Sequence, residues 1–227
     1  MSRWFYFLFI GGAIFFSACK TGKDEVDPGS IYFDYKVNAE EGNDNLTILL
    51  QYREGDRNGE SITVGETGAV TLDGETITAD STRMSGSFYE LHKPISSFAG
   101  KHEIVFTDAD KKKYKEEFDF QPVVLLTAIP DTIQRSDLAL EFKGLDKRDY
   151  LRVLITDTSF INDGINQVDT VKDGHLLISG DEFNKLSNGP VQLEFIREYS
   201  RRVREGTDAG GRLQIIYTLK REFYLKD

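Results

Sequence analysis

Ile31, Phe33, Tyr35 and Val37 alternate with Tyr32, Asp34 and Lys36, the period-two rhythm of a strand with one buried face. Leu46, Ile48, Leu50 and Tyr52 repeat it after a polar loop. Shorter runs follow at 61–64, 69–72 and 75–79, parted by the glycine-containing turns 65–68 and 73–74. Residues 101–107 and 114–120 read as a hairpin closed by 108–113, with Ile104, Phe106, Phe118 and Phe120 turned inward. No ten-residue stretch carries a helical period. Short strands at this spacing, separated by turn residues, predict an antiparallel sandwich.

Gln121-Pro122 marks a boundary, because proline interrupts strand pairing. Beyond it, 123–128 is apolar at consecutive positions and reads as a strand buried on both faces. Leu138, Leu140 and Phe142 alternate, as do Leu151, Val153 and Ile155, and 176–178 is another short strand. Ser179 followed by Glu182 matches a capping box, opening one helical turn over 181–186 that Asn188, Gly189 and Pro190 end. A single helical turn before the last strands of a sandwich makes this half resemble an immunoglobulin-like domain. The resemblance extends to both halves at the level of architecture, without a cysteine pair or a core tryptophan. The expected fold is therefore all-β, with two tandem antiparallel immunoglobulin-like β-sandwiches over 30–121 and 122–227. Such an analogy implies no function by itself.

The last hairpin is long. Leu193, Phe195, Tyr199 and Val203 share a parity on the outgoing arm, as do Leu213, Ile215, Tyr217 and Leu219 on the return. Residues 191–205 would extend about 50 Å at ~3.3 Å each, against ~17–20 Å for an ordinary strand. The tip, turning over 206–211, is expected to project past its core. It gathers Arg197, Arg201, Arg202, Arg204 and Arg212 around Tyr199, a candidate interaction surface. Two accounts of it stand. The arginines can pair along and across the arms with Glu194, Glu198, Glu205 and Glu222, leaving a solvated tip. Alternatively, guanidinium forks on an arm that outreaches its core suit an acidic protein surface or an anionic glycan. Under both, removal of 199–212 is expected to leave the fold intact.

The chain carries 28 basic and 38 acidic residues for a net charge of −10. That balance argues against nucleic acid as a partner. Its one cysteine is Cys19, so no disulfide staples the fold, and stability has to come from apolar cores. The sequence before Cys19 supplies the clearest signal in the chain. Arg3 is followed by an apolar run, 4–16, and then by Phe16, Ser17, Ala18 and Cys19. A basic start, an apolar centre and small residues before a cleavage point make a secretory signal, and the run is too short to span a bilayer. With cysteine at the cleavage point, it resembles a bacterial lipoprotein signal, although Phe16 stands where that family prefers leucine. The resemblance implies cleavage after 18, acylation at Cys19, and a lipid anchor in the outer membrane of a Gram-negative cell. The chain would face the periplasm or the cell surface. Residues 19–29, with Lys20 after the cysteine and Lys23, Asp24, Glu25 and Asp27 beyond, read as the lipidated cysteine and a flexible tether.

Catalytic and metal signatures are scarce. His92, His102 and His175 have no paired spacing, and a zinc site needs clustered ligands. No nucleophile elbow, phosphate loop or dinucleotide fingerprint occurs. Glu54, Asp56, Asn58 and Gly59 copy half of an EF-hand loop, but Gly65 stands where the closing glutamate is needed. No cofactor or metal is expected. The reading is a non-catalytic, lipid-anchored envelope lipoprotein that serves as a binding or assembly module for a protein partner. A glycan-binding surface lipoprotein is the alternative, with a carboxylate-dependent hydrolase a distant third. Exposed aromatics gathered into a platform would favour the glycan.

Overall fold

The computed structural model describes residues 27–63, 68–84, 86–158 and 164–227. The leader and Cys19 lie outside them. The described end of the tether, Pro28–Ser30, is a 3-10 turn in which the Gly29 amide donates to the Asp27 carboxylate.

Alternation becomes strands almost everywhere. The first half holds β1 (Ile31–Glu40), β2 (Asn45–Glu54), β3 (Ser61–Ile62), β4 (Ala69–Leu72), β5 (Glu75–Thr76), β6 (Ala79–Thr82), β7 (Gly86–Pro94), β8 (Gly100–Thr107) and β9 (Lys113–Phe120). The second holds β10 (Val124–Leu125), β11 (Thr132–Gln134), β12 (Leu138–Lys143), β13 (Arg148–Asp157), β14 (Ile165–Lys172) and β15 (His175–Ile178). A four-residue helix, α1 (Gly180–Phe183), precedes the long arms β16 (Gly189–Arg202) and β17 (Gly211–Lys226). Only half of the expected capping box forms: Ser179 Oγ accepts from the Asp181 amide, while the Glu182 carboxylate turns to Lys185.

The strands make two sheets. The larger runs β10-β12-β15-β14-β13-β16-β17-β1-β2-β7-β6, with β11 beside β17 and β3 beside β2, and the smaller runs β5-β4-β8-β9. In the first half the small sheet covers β1 and β2 through aromatic contacts. Phe33 meets Phe106 at 5.1 Å and Tyr114 at 5.6 Å between ring centroids, and Tyr52 stacks on Phe106 at 4.7 Å. In the second half the large sheet turns back on itself at the β14–β15 corner, where Lys172 pairs with His175. That fold brings Phe142 of β12 onto Phe195 of β16 at 5.1 Å.

One strand belongs to both halves. The first eight residues of β17 run parallel to β1, from Phe33 opposite Gly211 to Glu40 opposite Thr218. Its end runs parallel to β11, from Thr132 opposite Tyr224 to Gln134 opposite Lys226. Gly211 permits the close approach of β1, since a Cβ there would lie 2.6 Å from the Phe33 carbonyl oxygen. The expectation of a tip projecting past its core is therefore corrected. The arms do leave the second half, and they enter the first as strands of its sheet.

One further expectation changes. Residues 123–128 are not buried on both faces: Val123 and Leu125 are buried, whereas Val124 is 41% and Leu126 52% exposed. β14 was hidden from the alternation because its inward positions opposite Val153 and Leu151 are Gln167 and Asp169. These two satisfy each other, Gln167 Nε2 donating to the Asp169 carboxylate at 2.9 Å.

Candidate functional site

Strand parity divides the arginine-rich tip in two. On β16 the odd positions Arg197, Tyr199 and Arg201 lie opposite Tyr217, Ile215 and Leu213 of β17 and share the inner face. The even position Arg202 lies opposite Arg212, and both point to the outer face. The six sequence candidates thus occupy two places. Arg197, Tyr199, Arg201 and Arg204 come together on the inner side, and Arg202 and Arg212 sit behind them.

The inner side is built around a buried carboxylate. On β9, Glu116 shares the inward parity of Tyr114 and Phe118, and it is 1% exposed. Burying an isolated charge is costly unless it is paired and hydrogen-bonded. Here the Arg201 guanidinium lies 2.6 Å from one carboxylate oxygen, and the Arg204 amide donates to the other at 2.6 Å. β9 is also the edge of the small sheet, where unpaired backbone groups accumulate. The tip serves that edge with side chains. The Glu205 carboxylate accepts from the Lys115 amide at 2.9 Å, and Arg201 donates to the Glu117 carbonyl at 2.6 Å.

Arg197 fixes the other end of the same face. Its guanidinium reaches Asp149 at 2.8 Å and Asp146 at 3.1 Å, both beside the turn before β13. The expected pairing with Glu194, Glu198, Glu205 and Glu222 is corrected accordingly. Among the ion pairs of the described residues, the tip arginines meet Glu116, Glu117, Asp146, Asp149 and Asp34, all from other elements. Strand order decided this, because β9 and the β12–β13 turn lie nearer the inner face than the arm's own glutamates do.

Between these fixed points opens a cleft of about 290 Å³ at the junction of the two halves. Tyr199, 45% exposed, stands in it above Ile215 and Tyr217. Asp119, near the end of β9, and Gln121, just after it, also line the cleft. Burial, and then the Glu41 carboxylate, raise the Tyr217 phenol above its ordinary pKa. Sequence reasoning missed Glu116, although the alternation of 113–120 places it inward between two aromatics.

The other candidates are structural. His102 engages both ring nitrogens, with Asp73 at 2.7 Å and the Phe98 carbonyl at 2.8 Å, and stacks on Phe98. No ring nitrogen is left for a substrate proton. His92 lies on an exposed face beside Thr47 and Glu90. Asp56 closes its own turn by accepting from the Asn58 amide at 2.7 Å. Among the described residues no group of three His, Cys, Asp or Glu side chains is arranged to hold a metal. The exposed tyrosines stand apart. Tyr150 is on the outer face of β13, Tyr199 is in the cleft, and Tyr224 lies near the end of β17.

Comparison with protein-family models and with curated proteins finds no match. Among solved structures, the two-immunoglobulin-domain protein DIP-gamma IG1+IG2 is similar at 11% identity, over 86% of this chain and 95% of that one, with a TM-score of 0.25. The Yersinia pseudotuberculosis adhesin InvE is similar at 14% identity over 86% of this chain and 61% of its own, with a TM-score of 0.25. The Bacteroides ovatus mixed-linkage glucan utilization protein SGBP-B, solved with a mixed-linkage heptasaccharide, shows 15% identity over 88% of this chain and 46% of its own, with a TM-score of 0.23. Scores of this size carry no argument about ligand or activity, and the site has to be read from its own geometry.

Proposed function

We propose that the chain is a non-catalytic binding module of the cell envelope, held at the outer membrane through an acylated Cys19, and that it grips a protein partner at the junction cleft. The observation that supports this reading is the fixed presentation of Tyr199. The arm that carries it is pinned two residues before by Arg197 on Asp146 and Asp149, and two residues after by Arg201 on Glu116. Tyrosine and arginine dominate the energetic centres of protein interfaces. A side chain already held in place loses little entropy on binding. The acyl anchor follows from the leader alone: two or more acyl chains hold a protein stably where one does not.

A second reading rests on Asp119 and Gln121 in the same lining. These side chains in one cleft with a tyrosine ring are also what a neutral sugar would meet, through planar hydrogen-bonding groups beside an apolar face. One experiment separates the two. The full chain is displayed on outer-membrane vesicles with a photo-crosslinking residue at position 199, beside a Cys19→Ala variant. Defined protein adducts at 199, and loss of the Cys19→Ala protein from the membrane fraction, are expected. Absence of protein adducts, together with crosslinking to polysaccharide, would replace the protein reading by the glycan one. Retention of Cys19→Ala in the membrane would sink the anchor.

A further inference from the structure

The outer face of the tip contains an electrostatic conflict that the fold does not resolve. Arg202 and Arg212 are directly opposed across β16 and β17. Like charges facing each other on a sheet destabilise it. Arg212 has Asp34 at 3.3 Å, but that same carboxylate also faces Lys36 at 3.6 Å. No carboxylate lies within ion-pair distance of Arg202 among the described residues, and the Arg212 Nε is buried without a hydrogen-bond partner. On a chain with a net charge of −10, a surplus of guanidinium at one spot is unexpected.

The surroundings are concave. Beyond Arg212 the strand reaches Gly211 and Gly210, which have no side chains, and a Cβ on Gly210 would meet nothing within 4 Å. The result is an open hollow of about 600 Å³, within the range of small-ligand sites. Tyr32, half-buried on β1, lines it together with Ser200, Arg202, Arg212 and the exposed Asp208. β17 and β1 have neighbours on both sides here, while β16 pairs with β13 only as far as Arg197, so a peptide could add along 198–202 and is set against the sugars in the test below.

We propose that this hollow binds an acidic saccharide, its carboxylate or sulfate received by the fork of Arg202 beside the Arg212 charge and its ring laid against Tyr32. Guanidinium suits both oxyanions through paired N–H donors. The bound anion would also remove the repulsion between the two arginines. This site is separate from the junction cleft on the inner face and stands or falls independently of it.

The test is calorimetric titration of the full chain in detergent micelles. Its four probes are a hexuronate tetrasaccharide, a sulfated tetrasaccharide, a neutral tetrasaccharide and a hexaglutamate peptide. Binding of the uronate, the sulfated sugar or both is expected, with whichever binds identifying the oxyanion, and the neutral sugar weaker by about tenfold or more. Arg202→Ala and Tyr32→Ala should each weaken the acidic sugar by about tenfold. Arg202→Ala should not lower the thermal midpoint, because it relieves a like-charge contact. Silence of both acidic sugars, unchanged affinity in Arg202→Ala, or binding by the peptide alone would overturn the proposal.

Discussion

Tyr35 and Tyr52 sit at the centre of the first half, fully buried, with their hydroxyl oxygens 3.4 Å apart. Desolvation is the main reason that both phenols resist ionisation. For Tyr35 the hydrogen bond with Tyr52 works against the shift and the Glu116 charge adds to it. For Tyr52 the neighbouring Tyr35 and Tyr89 push the same way. A phenol whose folded pKa is raised contributes stability that is complete below its unfolded value, ~10, and is lost as pH rises beyond it. Above that value the unfolded chain releases protons that the folded chain keeps. Stability should therefore fall between about pH 10 and 11, by up to about 1.4 kcal/mol per pH unit for each phenol. The exposed Lys112 and Lys220, whose pKa values are also raised, act in the same direction. Comparison with Tyr52→Phe isolates the tyrosines. Urea unfolding at stepped pH should show a shallower alkaline decline in Tyr52→Phe, and equal slopes would refute the assignment.

At the scale of elements, the tip is attached to β9 by side chains rather than by strand pairing. Replacing Arg201 by alanine leaves Glu116 buried with the Arg204 amide as its remaining close donor. Breaking a buried pair from one side typically costs about 3–5 kcal/mol. Denaturant unfolding of Arg201→Ala should show a loss near the lower end, about 3 kcal/mol, since Arg201 is partly exposed. The double variant Glu116→Leu, Arg201→Met should recover most of it, because an apolar replacement leaves no unpaired charge. A double variant as unstable as the single one would show that the clamp is not electrostatic. The same contacts explain why removal of 199–212 should not be tolerated, against the expectation from sequence. It strips Arg201, Arg204 and Glu205 from β9 and takes Gly211 and Arg212 from the β1 register. The arms themselves were legible, since Leu193, Phe195, Leu213 and Leu219 mark their inner face. So was the division of five of the six candidates, because counting parity separates Arg202 and Arg212 from Arg197, Tyr199 and Arg201; Arg204, past the end of β16, escapes that count. Their partners were not. Asp34 lies 178 positions from Arg212 and Glu117 lies 84 from Arg201, and no local pattern encodes contacts of that separation.

On the scale of the whole molecule, the sequence reads as two successive β units parted at Gln121-Pro122, in the link from β9 to β10. What periodicity could not show is that one strand is shared. A strand's alternation reports which face is buried and is silent on which strand lies beside it. β17 contributes eight consecutive register pairs to β1 and pairs with β16 over its length. The first half accordingly gains a sheet neighbour from the far end of the chain. Arg197 and Arg201 add ion pairs to either side of the junction. A connection of this kind does not depend on the peptide bond at 121–122. Cutting the folded chain at a protease site inserted between Gln121 and Pro122 should leave the two fragments associated. They should co-elute on size exclusion in native buffer and separate only in denaturant. The strand-type circular dichroism spectrum should also survive the cut. Fragments that part in native buffer would mean that the β1–β17 pairing does not hold the halves together.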